Sequence, residues 1–330
     1  MCSSDLQPQI RHVMGWEPPA DYASGQAHGE ALVTVNSGDV PSTISKTLYQ
    51  AGVTRTANAF YQMLIKTGQN PTFYPGVYKL QKEMTSAAAL TALEDPKNKL
   101  NNSALIREGI TESQILPILA GSLKIPLADF QAAVKNPADY GVQAATLEGW
   151  LFPALYQFDP GVSAKQVIAK MVARTEQSLD AASVPVADRQ RILTIASIIQ
   201  REARQSADFY KVSRVIQNRL AQGMKLQMDS TAQYGYGTLH SGTASSTSAA
   251  LSDPNPWNTY VHTGLPQGPI SSPGDTAIDA AMHPAAGSWL YFTTVNLNTG
   301  ETVFSTSYAD QEKAVTQMRT WCKANPDAGC

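Results

Sequence analysis

Apolar residues recur at three- and four-residue steps through Ile192, Ile195, Ala196, Ile199 and Ala203, a spacing that stacks them on one face of a helix. Arg201 and Arg204 fall on the opposite side. Glu202 does not: it lies three residues after Ile199, four after Ile198 and seven after Ile195, at the margin of the apolar stripe. A carboxylate held there is expected to be partly desolvated, which raises its pKa toward the range of a general acid. The competing reading is a helix-end Glu whose stem packs while its head reaches water.

The rest of the chain alternates between helical and strand-like patterning. Residues 1–30, with Pro18-Pro19 and a polar stretch from Asp21 to Gly29, read as a linker. Ala31–Val35 reads as a strand, followed by a helix carrying Ile44, Leu48 and Val53. A second helix is expected around Ala57–Lys66, a returning strand over Tyr74–Leu80 and a helix over Ser86–Leu93. Ser103–Gly109 reads as a short strand ending at a Gly turn. Thr111 with Gln114 three residues on forms a capping box for a helix with Ile115, Ile118 and Leu119 on its apolar face. Leu127–Val134 is the next helix, and 164–221 is mainly helical with a break near Pro185, its last helix closed by Gly223.

After Leu226 the character changes. Residues 235–275 are rich in Gly, Ser, Thr and Pro, and a surface loop of that length is usually functional or disordered. A short helix over Asp275–Met282 is stopped by Pro284. Trp289–Val295 and Glu301–Thr306 flank Asn296–Gly300 as a hairpin, and a closing helix runs from about Asp310 to Trp321. Strands and helices follow one another in mixed order, so the expected fold class is α+β.

Composition narrows the function. A chain of 330 residues with 43% hydrophobic content has room for two domains. The formal net charge of -2 leaves no electrostatic footprint for nucleic acid. No apolar run approaches the ~20 residues a membrane-crossing helix requires. Met1-Cys2-Ser3-Ser4-Asp5-Leu6 lacks the apolar core of a signal peptide, and the opening is read as a truncation. Cys322 and Cys330 bracket a short Pro/Gly-containing tail, a spacing that suits a small disulfide loop or two free thiols.

Several chemistries are excluded by their missing residues. His12, His28, His240, His262 and His283 are scattered, and no C-x-x-C exists, so no metal site is expected. G-x-S-x-G and a phosphate-cradling glycine loop are absent. No Lys stands out as a Schiff-base candidate, and no cofactor is implied. Four stretches remain: Glu148–Pro153, Leu226–Gly235, Pro256–Tyr260 and the stiff loop Gly264–Gly274. Ring faces stack on pyranoses while amides and hydroxyls pair with sugar hydroxyls. Together with Glu202 these stretches suit a glycan cleft.

The strand–helix–helix–strand pattern over 31–95 is similar to a LysM-type glycan-binding module. Over 103–315 the resemblance is more specific. Glu148-Gly149-Trp150-Leu151-Phe152-Pro153, Ala196-Ser197-Ile198-Ile199-Gln200-Arg201-Glu202, Asn218-Arg219-Leu220, Leu226-Gln227-Met228-Asp229-Ser230-Thr231, Asn258-Thr259-Tyr260 and Gly264–Ile270 resemble, in order and spacing, the YceG-like (MltG) endolytic murein transglycosylases. The Tyr291-Phe292 to Phe304-Ser305 hairpin also matches. Gln200, Ala154-Leu155, Pro254–Trp257 and Thr302 depart from the family's usual residues.

The resemblance implies a LysM-like α+β module (31–95), a mixed α+β YceG-like catalytic domain (103–315) and a C-terminal tail (316–330). It implies a membrane anchor upstream of this chain, action on the extracytoplasmic side, and glycan strands of peptidoglycan as the partner, with cell-wall synthases as further candidates. Glu202 would be the catalytic acid and then base. Glu148, Gln227, Asp229, Tyr234, Asn258 and Tyr260 would bind and orient the sugars. A muramidase using Glu148 or Asp229 as partner carboxylate, and a non-catalytic peptidoglycan-binding protein, are the alternatives.

Overall fold

A computed structural model describes residues 21–325 apart from 37, 101, 160 and 240–245. The expectations placed on residues 1–20, on His240 and on Cys2 and Cys330 lie outside these. In chain order the elements are β1 (His28–Val35), α1 (Pro41–Gln50), α2 (Ala59–Thr67), β2 (Gly76–Lys82), α3 (Ser86–Glu94), β3 (Lys99–Leu100), β4 (Ser103–Leu105), α4 (Glu112–Leu123), α5 (Leu127–Ala133), β5 (Leu155–Gln157), α6 (Ala164–Ala181), α7 (Arg189–Glu202), α8 (Ser206–Ala221), α9 (Asp229–Tyr236), α10 (Ser248–Ser252), α11 (Asp275–Met282), β6 (Tyr291–Asn296), β7 (Glu301–Ser305) and α12 (Tyr308–Ala324). The protein is mixed α+β, with small antiparallel sheets.

The chain divides into two compact units. The first runs through Leu105 and takes in Gly121–Leu123 and Tyr156–Asp159. Its centre is an antiparallel β1–β2 pair in which Val33 lies opposite Tyr78 and Val35 opposite Gly76, with β3 added at the β2 edge. β1 begins three residues before the strand expected from alternation, beyond a register shift between His28 and Ala31. Val33 and Val35 from the sheet, Ile44 and Leu48 from α1, and Phe60 and Leu64 from α2 form its core.

The second unit is built around α7. Its residues from Ile192 to Ile199 are all buried, so the helix is enclosed on every side rather than amphipathic along one stripe. Its two polar positions make that burial tolerable because their hydroxyls are bonded. Thr194 Oγ1 donates to Gln190 O at 2.8 Å, and Ser197 Oγ donates to Thr194 O at 2.8 Å. Ser197 also accepts from Ile270 N at 3.0 Å, and its carbonyl accepts from Ser271 Oγ at 3.2 Å. The Gly264–Gly274 loop is therefore fastened to the central helix. α8 and α11 pack against α7, and α12 packs on β6. The capping box at Thr111 and Gln114 is present.

Two further elements differ from the sequence expectation. Asp229–Tyr236, a stretch over which the sequence predicts no helix, is a helix whose N-cap Met228 supplies no side-chain bond. α12 continues to Ala324, so the tail expected over 316–330 begins inside a helix. Cys322, on the last turn of that helix, is disulfide-bonded.

Candidate active site

α7 ends at Glu202, where Ala203 turns extended. The Glu202 carboxyl meets the first turn of α9: Oε1 accepts from Ser230 N at 3.2 Å and from Ser230 Oγ at 2.5 Å. The first amides of a helix lack intrahelical partners and attract negative charge. Glu202 thus supplies from another helix the cap that Met228 cannot. Oε2 accepts no hydrogen bond among the described residues. Burial pushes the Glu202 pKa above the ordinary carboxylate range; the two Ser230 bonds and the Arg201 charge oppose it, and the Asp229 charge reinforces it.

Glu202 lines a cleft of about 790 Å³. Gln227, Met228 and Asp229 line it from the turn before and the start of α9, Arg219 from α8, and Tyr260 from the following loop. Tyr260 Oη donates to Asp229 Oδ1, whose other oxygen accepts from Ser246 N at 3.3 Å. Burial and that bond raise the Tyr260 pKa, so its hydroxyl stays protonated. Gln227 carries a left-handed backbone at φ 50°, a conformation costly for a non-Gly residue and concentrated at functional sites. Its N–H donates to Thr259 O at 3.1 Å, which holds the turn against the 258–260 segment.

Arg219 is buried, its guanidinium donating from Nε to Leu290 O at 2.6 Å and from Nη1 to Leu226 O at 2.7 Å. It also lies over the Tyr291 ring, 5.0 Å from the centroid. One side chain thereby ties the start of β6 to the segment leading into Gln227. Neighbouring Asn218 donates to Trp289 O at 2.9 Å, so the Asn-Arg-Leu motif is a brace behind the cleft.

Three expected sugar-binding residues lie elsewhere, because each side chain is engaged within the protein. Asn258 is fully buried and donates to the carbonyls of Ala250, Leu251 and Asp253, while its Oδ1 accepts from Tyr260 N at 2.9 Å. It organises the loop that presents Tyr260. Glu148 is 4% exposed, and both its oxygens accept from Glu112 N at 3.1 Å, at the first turn of α4. Tyr234 Oη donates to Glu148 Oε2 at 3.1 Å. Burial pushes Glu148 up to about 8, with the neighbouring Glu112 charge adding to it. Neither Glu148 nor Tyr234 lines the cleft. The glycine after Glu148 has φ 80°, and a Cβ there would lie 2.5 Å from Pro269 Cβ, so only Gly lets this turn dock under the Gly264–Gly274 loop.

Gln200 faces away from Glu202's partners: Nε2 donates to Glu108 Oε2 at 3.1 Å, and Oε1 accepts from Gly274 N at 3.0 Å. Sequence reasoning missed one wall altogether. Tyr291, Phe292, Thr293 and Thr294 of β6 line the cleft, as do Tyr308, Gln311, Glu312, Val315, Thr316, Met318 and Arg319 of α12. The three- and four-residue spacing of the α12 set was the available signal. Among the described residues, no group of three or more His, Cys, Asp or Glu could hold a metal ion, and no helix is long and apolar enough to cross a membrane.

The family model described as the YceG-like family matches residues 33–317. The endolytic murein transglycosylase of Bacillus subtilis (strain 168) is 29% identical over 304 residues, covering 86% of this chain and 83% of that protein. The endolytic murein transglycosylase of Streptococcus pneumoniae serotype 2 is 26% identical over 329 residues, covering 88% of this chain; the chain spans only 59% of that longer relative. The crystal structure of a yceG-like protein from Listeria monocytogenes superposes with a TM-score of 0.56 at 29% identity, covering 86% of this chain and 99% of that one.

Proposed function

The chain belongs to the YceG-like family, and from that premise we propose that it is an endolytic murein transglycosylase that cuts peptidoglycan glycan strands from within, outside the cytoplasm. The relatives that carry this activity in their names support the reaction class. The observation that carries the mechanism is the Glu202 carboxyl. It lines a cleft, is shifted toward its neutral form by burial, and among the described residues engages only one of its oxygens.

In this mechanism Ser230 holds Oε1, and the acid proton resides on Oε2. Oε2 donates it to the glycosidic oxygen between N-acetylmuramic acid and N-acetylglucosamine as the bond breaks through an oxocarbenium-like state. The resulting carboxylate takes the proton of the muramyl C6 hydroxyl, whose oxygen closes the 1,6-anhydro ring. A hydrolase needs a second carboxylate to serve as nucleophile or to activate water; here the substrate supplies its own nucleophile. Asp229, held by Tyr260, stabilises the developing positive charge, and Gln227 orients a sugar. Glu148, Tyr234 and Asn258 act behind the wall by fixing α4, α9 and the 250–260 loop.

The test is mass spectrometry of products from un-cross-linked peptidoglycan. Parent enzyme should leave anhydro-muramyl ends and Glu202→Gln on the order of 10³-fold fewer; anhydro ends from that variant at a rate near the parent's would overturn the assignment. A muramidase is the second reading, favoured by the presence of Asp229 in the same cleft as Glu202. Reducing ends, heavier by one water, would establish it.

In the first unit, antiparallel β1 and β2 with α1 and α2 between them in sequence support a LysM-like glycan-binding module. Retention of that unit on glycan strands in a pull-down would support it, and its absence from the pellet would count against it.

A further inference from the structure

The cleft wall formed by α12 carries charge that has no partner among the described residues. Glu312 and Arg319 both line the cleft and lie seven residues apart, two turns along one helix face and roughly 10 Å along its axis. Neither side chain makes an ion pair or hydrogen bond among the described residues. Two other charges on the same helix are engaged: Lys313 Nζ donates to Asp310 Oδ1 at 2.7 Å, and Asp310 Oδ2 accepts from Ser307 Oγ at 2.8 Å. Between the two free charges and β6 sits Gln311. Its Nε2 donates to Thr293 Oγ1 at 2.7 Å, while its Oε1 is buried with no partner. An orphaned buried acceptor is costly unless a ligand supplies a donor.

Resting on the proposed murein reading, we propose that Arg319 and Glu312 are specificity-determining residues that recognise peptide-bearing glycan strands. Peptides attached to the muramyl lactyl groups carry ammonium groups and several carboxylates, whereas a strand stripped of them keeps one lactyl carboxylate per muramyl residue and no ammonium. A guanidinium pairs with a carboxylate through charge-assisted bonds, and Glu312 suits an ammonium. Gln311 Oε1 would accept an amide N–H from the same substituent. The cleft would thereby prefer strands that still carry peptides over strands from which they have been removed.

The experiment compares un-cross-linked strands bearing peptides with the same strands after amidase treatment. Glu312→Gln should lower kcat/KM on peptide-bearing strands about five- to tenfold, mainly through KM, and leave amidase-treated strands, which hold no ammonium, within about twofold of the parent. Arg319→Ala should lower kcat/KM on peptide-bearing strands and, through the lactyl carboxylate, to a smaller extent on amidase-treated ones. Strand binding by the Glu202→Gln protein, with and without Glu312→Gln, gives the same comparison without turnover. Equal Glu312→Gln losses on both substrates, or no loss on the peptide-bearing one, overturn the inference. Failure of the parent enzyme to bind or cut either strand instead overturns the murein reading beneath it.

Discussion

Glu202 and Glu148 are nearly the same local construction used in two places. Each carboxylate accepts from a first-turn amide of a helix in another part of the chain, Ser230 N of α9 and Glu112 N of α4, and each also takes a hydroxyl, from Ser230 and Tyr234. Burial raises both pKa values. What differs is access. Glu202 lines the cleft and, among the described residues, keeps an oxygen unengaged, while Glu148 is enclosed with both oxygens engaged. A perturbed carboxylate is therefore not by itself a catalytic one; the reachable oxygen decides.

The sharpest way to break this comparison is to remove each proton donor in turn. Glu202→Gln should reduce anhydro-product formation by on the order of 10³-fold, within the range that a positioned acid contributes. Glu148→Gln should keep turnover within a few-fold of the parent. Comparable losses in the two variants would dissolve the distinction.

Stability should show the reverse order. Glu148→Ala leaves Glu112 N and Tyr234 Oη without their acceptor in a buried site, a change worth about 2–4 kcal/mol from a lost cap and an orphaned donor. Glu202→Gln retains an acceptor for Ser230 and should cost less than about 1 kcal/mol. Urea melts of both variants measure this. The pH dependence follows from the raised Glu148 pKa. Its folded pKa, about 8, exceeds the unfolded value of 4.5, so between them the native state holds a proton that the unfolded state has lost. Stability from this group is fully present below about pH 4.5 and declines as pH rises toward 8. The Glu148→Gln variant should show a flatter decline over that window, and an unchanged slope would assign the pH dependence elsewhere.

How much of this contrast was legible in the sequence depends on the range of the interaction. The Glu202 position could be read from apolar spacing because helix periodicity is local. Its enclosure could not, since Thr194 and Ser197 look like a polar face until the Ile270–Ser271 backbone is seen to meet Ser197. Glu148 beside aromatic residues resembled a sugar-binding carboxylate; its actual partner is an amide 36 residues earlier in the chain. α9 was hidden because Asp229, Ser230, Thr231 and Gly235 favour turns in isolation, and its cap comes from Glu202, 28 residues upstream. The α12 wall was overlooked because its three- and four-residue spacing is common to any surface helix and marks no motif.

The smallest expected effect tests whether α9 sets the acid's proton affinity as the geometry requires. Ser230 and Asp229 are adjacent on that helix yet act on Glu202 with opposite sign. The Ser230 hydroxyl donates to the charged form and lowers its pKa, whereas the Asp229 charge disfavours ionisation and raises it. A general acid must be protonated, so activity should fall as pH rises through the Glu202 pKa. Ser230→Ala removes the hydroxyl donor and should move that alkaline limb to higher pH. Asp229→Asn removes the like charge and should move it to lower pH, apart from any loss of rate at the plateau. Tyr260→Phe, which deletes the bond to Asp229 without removing its charge, should leave the limb closer to the parent's than Asp229→Asn does. Limbs that shift in the same direction for the first two variants would mean that the group titrating in the profile is not Glu202.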